Sequence, residues 1–381
     1  MVQNGTFRAI TTKVAVNVNV NHPAVIAILA RESVVAVFNH PEFDQHEQVV
    51  FCSDQETGLK AIIAVHSTRL GPAVGGCRLW DYASDEDALV DVLRLSRGMT
   101  YKNAMAGLPL GGGKSVIIGN AKTIKSEALF QAFGRMVHRL SGSYYSAEDV
   151  NITTHDIMQV HQVTPYVAGL EGKSGNPGPF TALGTYQGIK AAAKHQFGSA
   201  DLAGKTVAVQ GLGSVGFYLC ERLHKEGAKL IVTDINQDAV NRAVAQFGAT
   251  AVGLNDIYGV AADIYAPCAL GATLNDDTIP QLKAKIVAGC ANNQLKRPEH
   301  GQKLRELGIL YAPDYVINAG GIINVAFEMR PQGYNAAEST AKVMQIFDTL
   351  LQIFERADAE NKPTSTVADQ MAQEIIARGQ A

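Results

Sequence analysis

Long apolar runs are missing from this 381-residue chain. No stretch of about 18 consecutive apolar residues occurs, so no segment reads as a membrane span. Cysteine is scarce: Cys52, Cys77, Cys220, Cys268 and Cys290 are odd in number and form no C-x-x-C pair. That disfavours a disulfide framework and a zinc ribbon, and points to a reducing, cytoplasmic compartment. Metal-site patterns are lacking too. There is no H-E-x-x-H, and His155 and His161 stand six apart rather than as a helical pair, so no metal is expected. Neither sign of charge dominates: 33 Lys and Arg against 36 Asp and Glu leave a net −3, which gives no basis for a nucleic-acid surface. The basic stretch Lys283, Lys285, Lys296 and Arg297 reads as solvated surface. No internal repeat is visible. What remains, 46% hydrophobic and 18% charged, is the balance of a globular chain long enough for two domains.

Residues 1–37 read apart from the rest. Between Met1 and Ala30 only Arg8 and Lys13 carry charge, and the apolar AVIAILA is short and lacks a clear cleavage site. The stretch reads as a poorly ordered arm, or as upstream sequence translated from a misplaced start. A substrate domain is expected over 38–178. EQVVFC (Glu47–Cys52) and LKAIIAVHS (Leu59–Ser67) predict paired strands. Ser84 predicts a helix N-cap, with Asp85, Glu86 and Asp87 in the first turn and Leu89, Val92, Leu93 and Ser96 inward. Met99–Gly119 reads as a Gly-rich passage running into an apolar strand. A helix over Ser126–Leu140 and the strand-like SYYSA, ending at Glu148-Asp149, follow. Glu171–Phe180, rich in Gly and Pro, predicts the domain boundary.

Beyond it the pattern is regularly β-α-β. KTVAVQ (Lys205–Gln210), KLIVTD (Lys229–Asp234) and strands near Ala249–Val252, Ala262–Ala266, Lys285–Ala288 and Gly308–Tyr311 predict a six-stranded, doubly wound Rossmann sheet over 179–325. Helices over Ala336–Arg356 and Thr366–Ala377, within 326–381, are expected to pack back on the first domain. The fold class is α/β.

GLGSVG joins the first of these strands to a helix. Gly211 permits the sharp turn, Gly213 lets a pyrophosphate approach the backbone, and Gly216 lets helix and strand pack closely. Leu212, Ser214 and Val215 complete the turn, whose helix presents free N–H groups to phosphate. Asp234, followed by Ile235, ends the next strand, where a carboxylate accepts from both ribose hydroxyls and repels a 2′-phosphate. NAD is therefore expected over NADP. APCALG, with Cys268 and Ala269, and AGCANN, with Ala291, sit at the carboxyl ends of later strands, where a doubly wound sheet places its crevice. Cys268 and Cys290 read as small packed residues rather than nucleophiles.

Lys102 and Lys114 stand 12 apart in glycine-rich sequence. Isolated lysines are usually surface residues. Lys114, however, follows three glycines and leads directly into SVII. Buried near a second cation, such an amine is expected to lose its proton and become a base. Asp149 suits a proton shuttle, or equally a carboxylate at a helix N-terminus.

From about Val37 to the C-terminus, stretches such as LRLSRGMTYKNAMAGLPLGGGKSVIIG, SAEDVNITTHD, SGNPGPFTALG, AVQGLGSVG, AGCANNQL and LYAPDYVINAGGIINVA carry a clear likeness. The chain resembles the Glu/Leu/Phe/Val dehydrogenase family, and its leucine-acting members most. The resemblance implies that Lys102 binds the substrate α-carboxylate beside the backbone of Gly75 and Gly76. It implies that Lys114 activates water, that Asp149 exchanges protons with the substrate nitrogen, and that Asn318 lies near the amino group and the cofactor. Thr181 and Asn293 match nicotinamide contacts. The implied reaction converts an L-amino acid, NAD and water to a 2-oxo acid, ammonia and NADH, reversibly, in a homo-oligomer, an octamer by resemblance.

Val74 stands where glutamate-acting members carry a lysine, so a side-chain carboxylate would be buried without a cation. Val74, Ala147, Ile322 and Val325 match the side-chain pocket of leucine-acting members, which implies leucine, isoleucine and valine as substrates. Val74 replaces a usual leucine and Ile322 a common valine, changes of opposite sign in volume. Phenylalanine is the alternative substrate. A non-catalytic NAD-binding sensor is the alternative of another class, and it has no reason to keep Lys102, Lys114 and Asp149 together.

Overall fold

The computed structural model describes residues 9–11, 14–16, 37–170 and 176–379. The chain divides into two units, Met1–Asp44 and Gln45–Ala381. In the first, β1 (Ala9–Thr11) pairs antiparallel with β2 (Val14–Val16). The rest of the expected arm, up to residue 36, lies outside the described residues, as do residues 171–175 of the expected boundary loop.

The second unit holds two sheets. The first contains β3 (Gln48–Asp54), β4 (Leu59–Ser67), β5 (Ala73–Trp80), β6 (Gly111–Ile118) and β7 (Tyr144–Glu148), in the order β3-β4-β6-β5-β7. β3, β4 and β6 are antiparallel neighbours, whereas β6, β5 and β7 run parallel. β4 has one exposed residue in nine, as a strand covered on both faces requires. β5 escapes the sequence reading because Gly75 and Gly76 interrupt its apolar alternation.

Helix α1 (Asp85–Met105) starts where expected: the Ser84 side chain accepts from the Asp87 N–H at 3.1 Å. It then runs on through Met99–Met105, which had read as the start of a Gly-rich passage. Thr100, Asn103 and Ala104 continue its buried stripe, and Gly107, at φ +60°, follows its end. The three glycines before Lys114 accordingly lie inside β6 and not in a turn. A Cβ on Gly112 would sit 2.0 Å from the Thr100 amide nitrogen, so α1 rests on bare strand backbone. Two shorter helices, α2 (Glu127–Arg139) and α3 (Thr154–His161), pack beneath this sheet.

The second sheet is wholly parallel. β8 (Thr206–Gln210), β9 (Lys229–Thr233), β10 (Thr250–Ala251), β11 (Ile264–Pro267), β12 (Ile286–Val287) and β13 (Leu310–Tyr311) are ordered β10-β9-β8-β11-β12-β13. Strand order reverses between β8 and β11, the crevice of a doubly wound fold. Around it lie α4 (Gly178–Phe197), which was not foreseen, α5 (Ser214–Lys225) and α6 (Gln237–Phe247). After the short α7 (Gly320–Ala326), the expected single helix from Ala336 breaks at Gln345 into α8 (Ala336–Met344) and α9 (Ile346–Glu360). The last helix, α10 (Thr364–Arg378), packs on α1 of the first sheet. No helix among the described residues is long and apolar enough to cross a membrane.

Candidate active site

Strand periodicity assembles one side of the site. Alternate residues share a face of a sheet, and the register aligns Val74 with Tyr145, Gly76 with Ala147, and Arg78 with Val116. Val74, Gly76, Arg78, Lys114, Ala147 and the following Asp149 thereby turn toward α1. Cys77, Ser115 and Tyr144 point the other way, where the Tyr144 hydroxyl donates to the Gly75 carbonyl at 2.7 Å. Gly75 and Gly76 are obligatory: a Cβ would lie 1.8 Å from the Gly113 oxygen and 2.4 Å from the Glu148 oxygen.

Lys114, only 7% exposed, places Nζ 2.7 Å from Asp149 Oδ2. Arg78 Nε reaches the same oxygen at 3.3 Å. Burial penalises the Asp149 charge, but these two cations outweigh it and hold the carboxyl below its ordinary pKa. Lys114 thus has a carboxylate partner besides the second lysine visible in the sequence. Lys102, on the last turn of α1, has a weakened hold on its proton. Burial pushes it down to about 8, with Asp314 working in the opposite sense and Lys114 reinforcing the fall.

The other wall comes from the second sheet and its helices. Asn318 Nδ2 donates to the Cys290 carbonyl at 3.1 Å and to Asn292 Oδ1 at 2.7 Å, while its own Oδ1 is buried without a partner. Lys102 Nζ also reaches Asn292 Oδ1, at 3.4 Å. Asn292 and Asp314 were passed over in the sequence, although both lie in stretches quoted for their likeness. Asp314 is half-buried, its desolvation raises its pKa, and it accepts from the Gln294 N–H at 2.8 Å. Nothing local marks either one, because their partner lies on α1. Thr181 Oγ1 donates to the Pro177 carbonyl at 3.1 Å, and α7 approaches it so closely that a Cβ on Gly321 would sit 2.7 Å from that oxygen. Asn293 is exposed, at φ +52°.

Val74 and Ile322 belong to one apolar cluster; Ala147 faces Gly76 in register, and Val325 lies one turn beyond Ile322 on α7. A cavity of about 560 Å³ lies further back along the same strands, lined by Pro72, Leu110, Tyr145, Val167, Ala326 and Phe327.

At the crevice of the parallel sheet, Gly211 turns at φ +104° with Ala269 where a Cβ would be, and a Cβ on Gly216 would meet the Gly211 oxygen at 2.0 Å. Gly213 differs: a Cβ there would meet nothing within 4 Å. Its open side faces out just before Ser214, Val215 and the first free N–H groups of α5, a cradle for a pyrophosphate. Asp234 Oδ2 accepts from the Leu212 N–H at 2.5 Å and Oδ1 from the Asn236 N–H at 2.7 Å, which fixes the carboxylate beside the turn. Ile235 is 89% exposed, Ala291 is buried, and Cys268 and Cys290 are free, half-buried thiols. No group of three His, Cys, Asp or Glu among the described residues is arranged to hold a metal.

A lysine–aspartate pair on a mixed sheet facing a glycine-loop nucleotide crevice defines an amino-acid dehydrogenase. Residues 46–169 match the family model described as Glu/Leu/Phe/Val dehydrogenase, dimerisation domain. Residues 174–240 and 231–378 match Glutamate/Leucine/Phenylalanine/Valine dehydrogenase, and the chain belongs to this family of oxidoreductases. Among its members it is 59% identical to the leucine dehydrogenase of Geobacillus stearothermophilus over 89% of this chain and 93% of the relative. It is 56% identical to that of Bacillus subtilis, over 90% and 94%. The solved structure of L-tryptophan dehydrogenase from Nostoc punctiforme superposes with a TM-score of 0.78 at 48% identity, covering 87% of this chain and 96% of that one.

Proposed function

We propose that this protein catalyses the reversible, NAD-dependent oxidative deamination of leucine, isoleucine and valine to their 2-oxo acids and ammonia. The observation that carries the reading is the Lys114–Asp149 pair at 2.7 Å, sharing a sheet face with the apolar Val74 and lying across from the half-satisfied Asn318.

Lys102, with the backbone at Gly75 and Gly76, binds the substrate carboxylate. Val74, Ala147, Ile322 and Val325 take the branched side chain, and their lack of a cation rejects glutamate. Asn318 Oδ1, an acceptor otherwise costly to bury, receives the substrate amino group or the nicotinamide amide. NAD supplies a hydride acceptor when bound. Gly211–Gly216 and the start of α5 hold its pyrophosphate, Asp234 and Ile235 its adenosine end, and Cys268, Ala269, Ala291, Asn293 and Thr181 the rest. Lys114 takes the proton of the attacking water, and Asp149 relays protons to and from the substrate nitrogen. The domain division 38–178, 179–325 and 326–381, an octameric assembly and a cytoplasmic location belong to the same proposal.

The test is a kinetic panel of L-amino acids and 2-oxo acids with NAD and NADP, followed by NADH absorbance. Branched substrates should exceed phenylalanine in kcat/KM by about tenfold or more, a difference within reach of an apolar pocket. Oxidation of none of them would sink the reading.

A further inference from the structure

The Lys114–Asp149 pair does not stand alone. Asp149 Oδ2 accepts from both Lys114 and Arg78, so both cations dock on one oxygen. Arg78 is itself fixed. Its NH1 donates to Asp91 Oδ1 at 3.1 Å and Oδ2 at 2.9 Å, and the Tyr82 hydroxyl donates to Asp91 Oδ2 at 2.6 Å. Asp91 lies on α1, the helix that carries Lys102. The side chains run without a gap from Tyr82 through Asp91 and Arg78 to Asp149 and Lys114, and those of Arg78, Asp91 and Asp149 are each about a quarter exposed.

We propose that Arg78, anchored by Asp91 and Tyr82, is a positioning residue for Asp149 and Lys114: a fixed guanidinium that aims the carboxylate and tunes the proton affinity of the pair. The inference rests on the proposed reading of Lys114 and Asp149 as the proton-handling groups. A planar fork suits the task, because one guanidinium binds Asp149 through Nε and Asp91 through NH1 and cannot follow either away from the other. Docking of two cations on Oδ2 fixes the rotation of the Asp149 carboxylate relative to the substrate nitrogen. A cation at this range also favours loss of protons from its neighbours. The groups that face Asp149 are Lys114 from β6, Arg78 from β5, Lys102 and, through Arg78, Asp91 from α1, and Tyr82 from the loop before it; Cys77 and Tyr144 lie beneath.

The pH dependence of kcat in the deamination direction distinguishes this role from a structural one. The Arg78→Met variant removes the cation and is expected to move the rising limb of the profile up by about one pH unit. The Asp91→Asn variant removes the counter-charge and is expected to move the same limb down by a smaller amount. Arg78→Lys should keep the limb near its wild-type position but lower kcat, since a single ammonium cannot hold both carboxylates. A purely structural role would change thermal stability and leave the limbs in place. The inference is overturned if Asp149→Asn is inactive with intact NAD binding while Arg78→Met retains the wild-type limb. Near-wild-type turnover by Asp149→Asn would overturn the reading of the pair instead. Should Arg78→Met fail to fold, Asp91→Asn decides: a downward shift supports the inference and an unmoved limb overturns it.

Discussion

Two glycine clusters, Gly111–Gly113 and Gly211–Gly216, look alike in sequence and do opposite things in the fold. Around Gly112 the missing side chain is replaced by the protein itself, since α1 lies where a Cβ would go. At Gly213 nothing of the protein comes within 4 Å of that position. Space that the chain fills is packing; space that it leaves open beside a helix N-terminus belongs to a ligand. The first cluster brings two amines together across a helix–strand contact. The second offers backbone to an anion.

Lys114→Ala provides the largest contrast. Turnover is expected to fall by about 10²–10⁴-fold, the range for loss of a general base, while NAD binding measured by fluorescence persists. Loss of both together would mean that the two clusters are not separable. Gly112→Ala comes next, because its Cβ meets rigid backbone at 2.0 Å and has no rotamer by which to escape. It is expected to cost about 1–3 kcal/mol or more in denaturant unfolding, whereas Gly213→Ala should fold with unchanged stability and bind NAD more weakly. Equal destabilisation by the two alanines would erase the distinction.

Asp234→Gly should narrow the preference for NAD over NADP, and also loosen the turn whose Leu212 N–H it accepts. Unaltered discrimination would remove Asp234 from the ribose site. The smallest effect concerns Lys102, pushed down to about 8 mainly by burial. A branched carboxylic acid without an amino group should bind as an inhibitor whose affinity is constant below that pH. It should then weaken by about tenfold per unit above, as the free enzyme's ammonium is lost. A flat profile to pH 9.5 would show that Lys102 does not carry the carboxylate.

The parallel sheet was legible because its signals are local. Short apolar strands, GLGSVG and the aspartate ending β9 each fall within a few neighbouring residues. The mixed sheet was less so. β5 hides behind Gly75-Gly76, whose purpose is visible only with β6 and β7 on either side. Lys102 was read as part of a Gly-rich passage because glycines follow it, yet Thr100 and Asn103 belong to the buried stripe of the helix. The carboxylate partner of Lys114 was missed for a related reason. Sequence spacing shows the second lysine 12 residues away but not the carboxylate 35 residues on. Arg78, Asn292 and Asp314 carry no motif of their own; their contacts are made with partners brought from elsewhere in the chain.

Direct seating of α1 on the backbone of β6 has a practical corollary for redesign. The gap between the two lysines is gauged by main-chain atoms in contact, as in a machined joint, not by side chains that can change rotamer. The outer surface of α1 should therefore tolerate wholesale replacement, in a thermostable or immobilised variant for example, without altering the alignment of the amines. A single methyl group inserted between helix and strand would throw that alignment out.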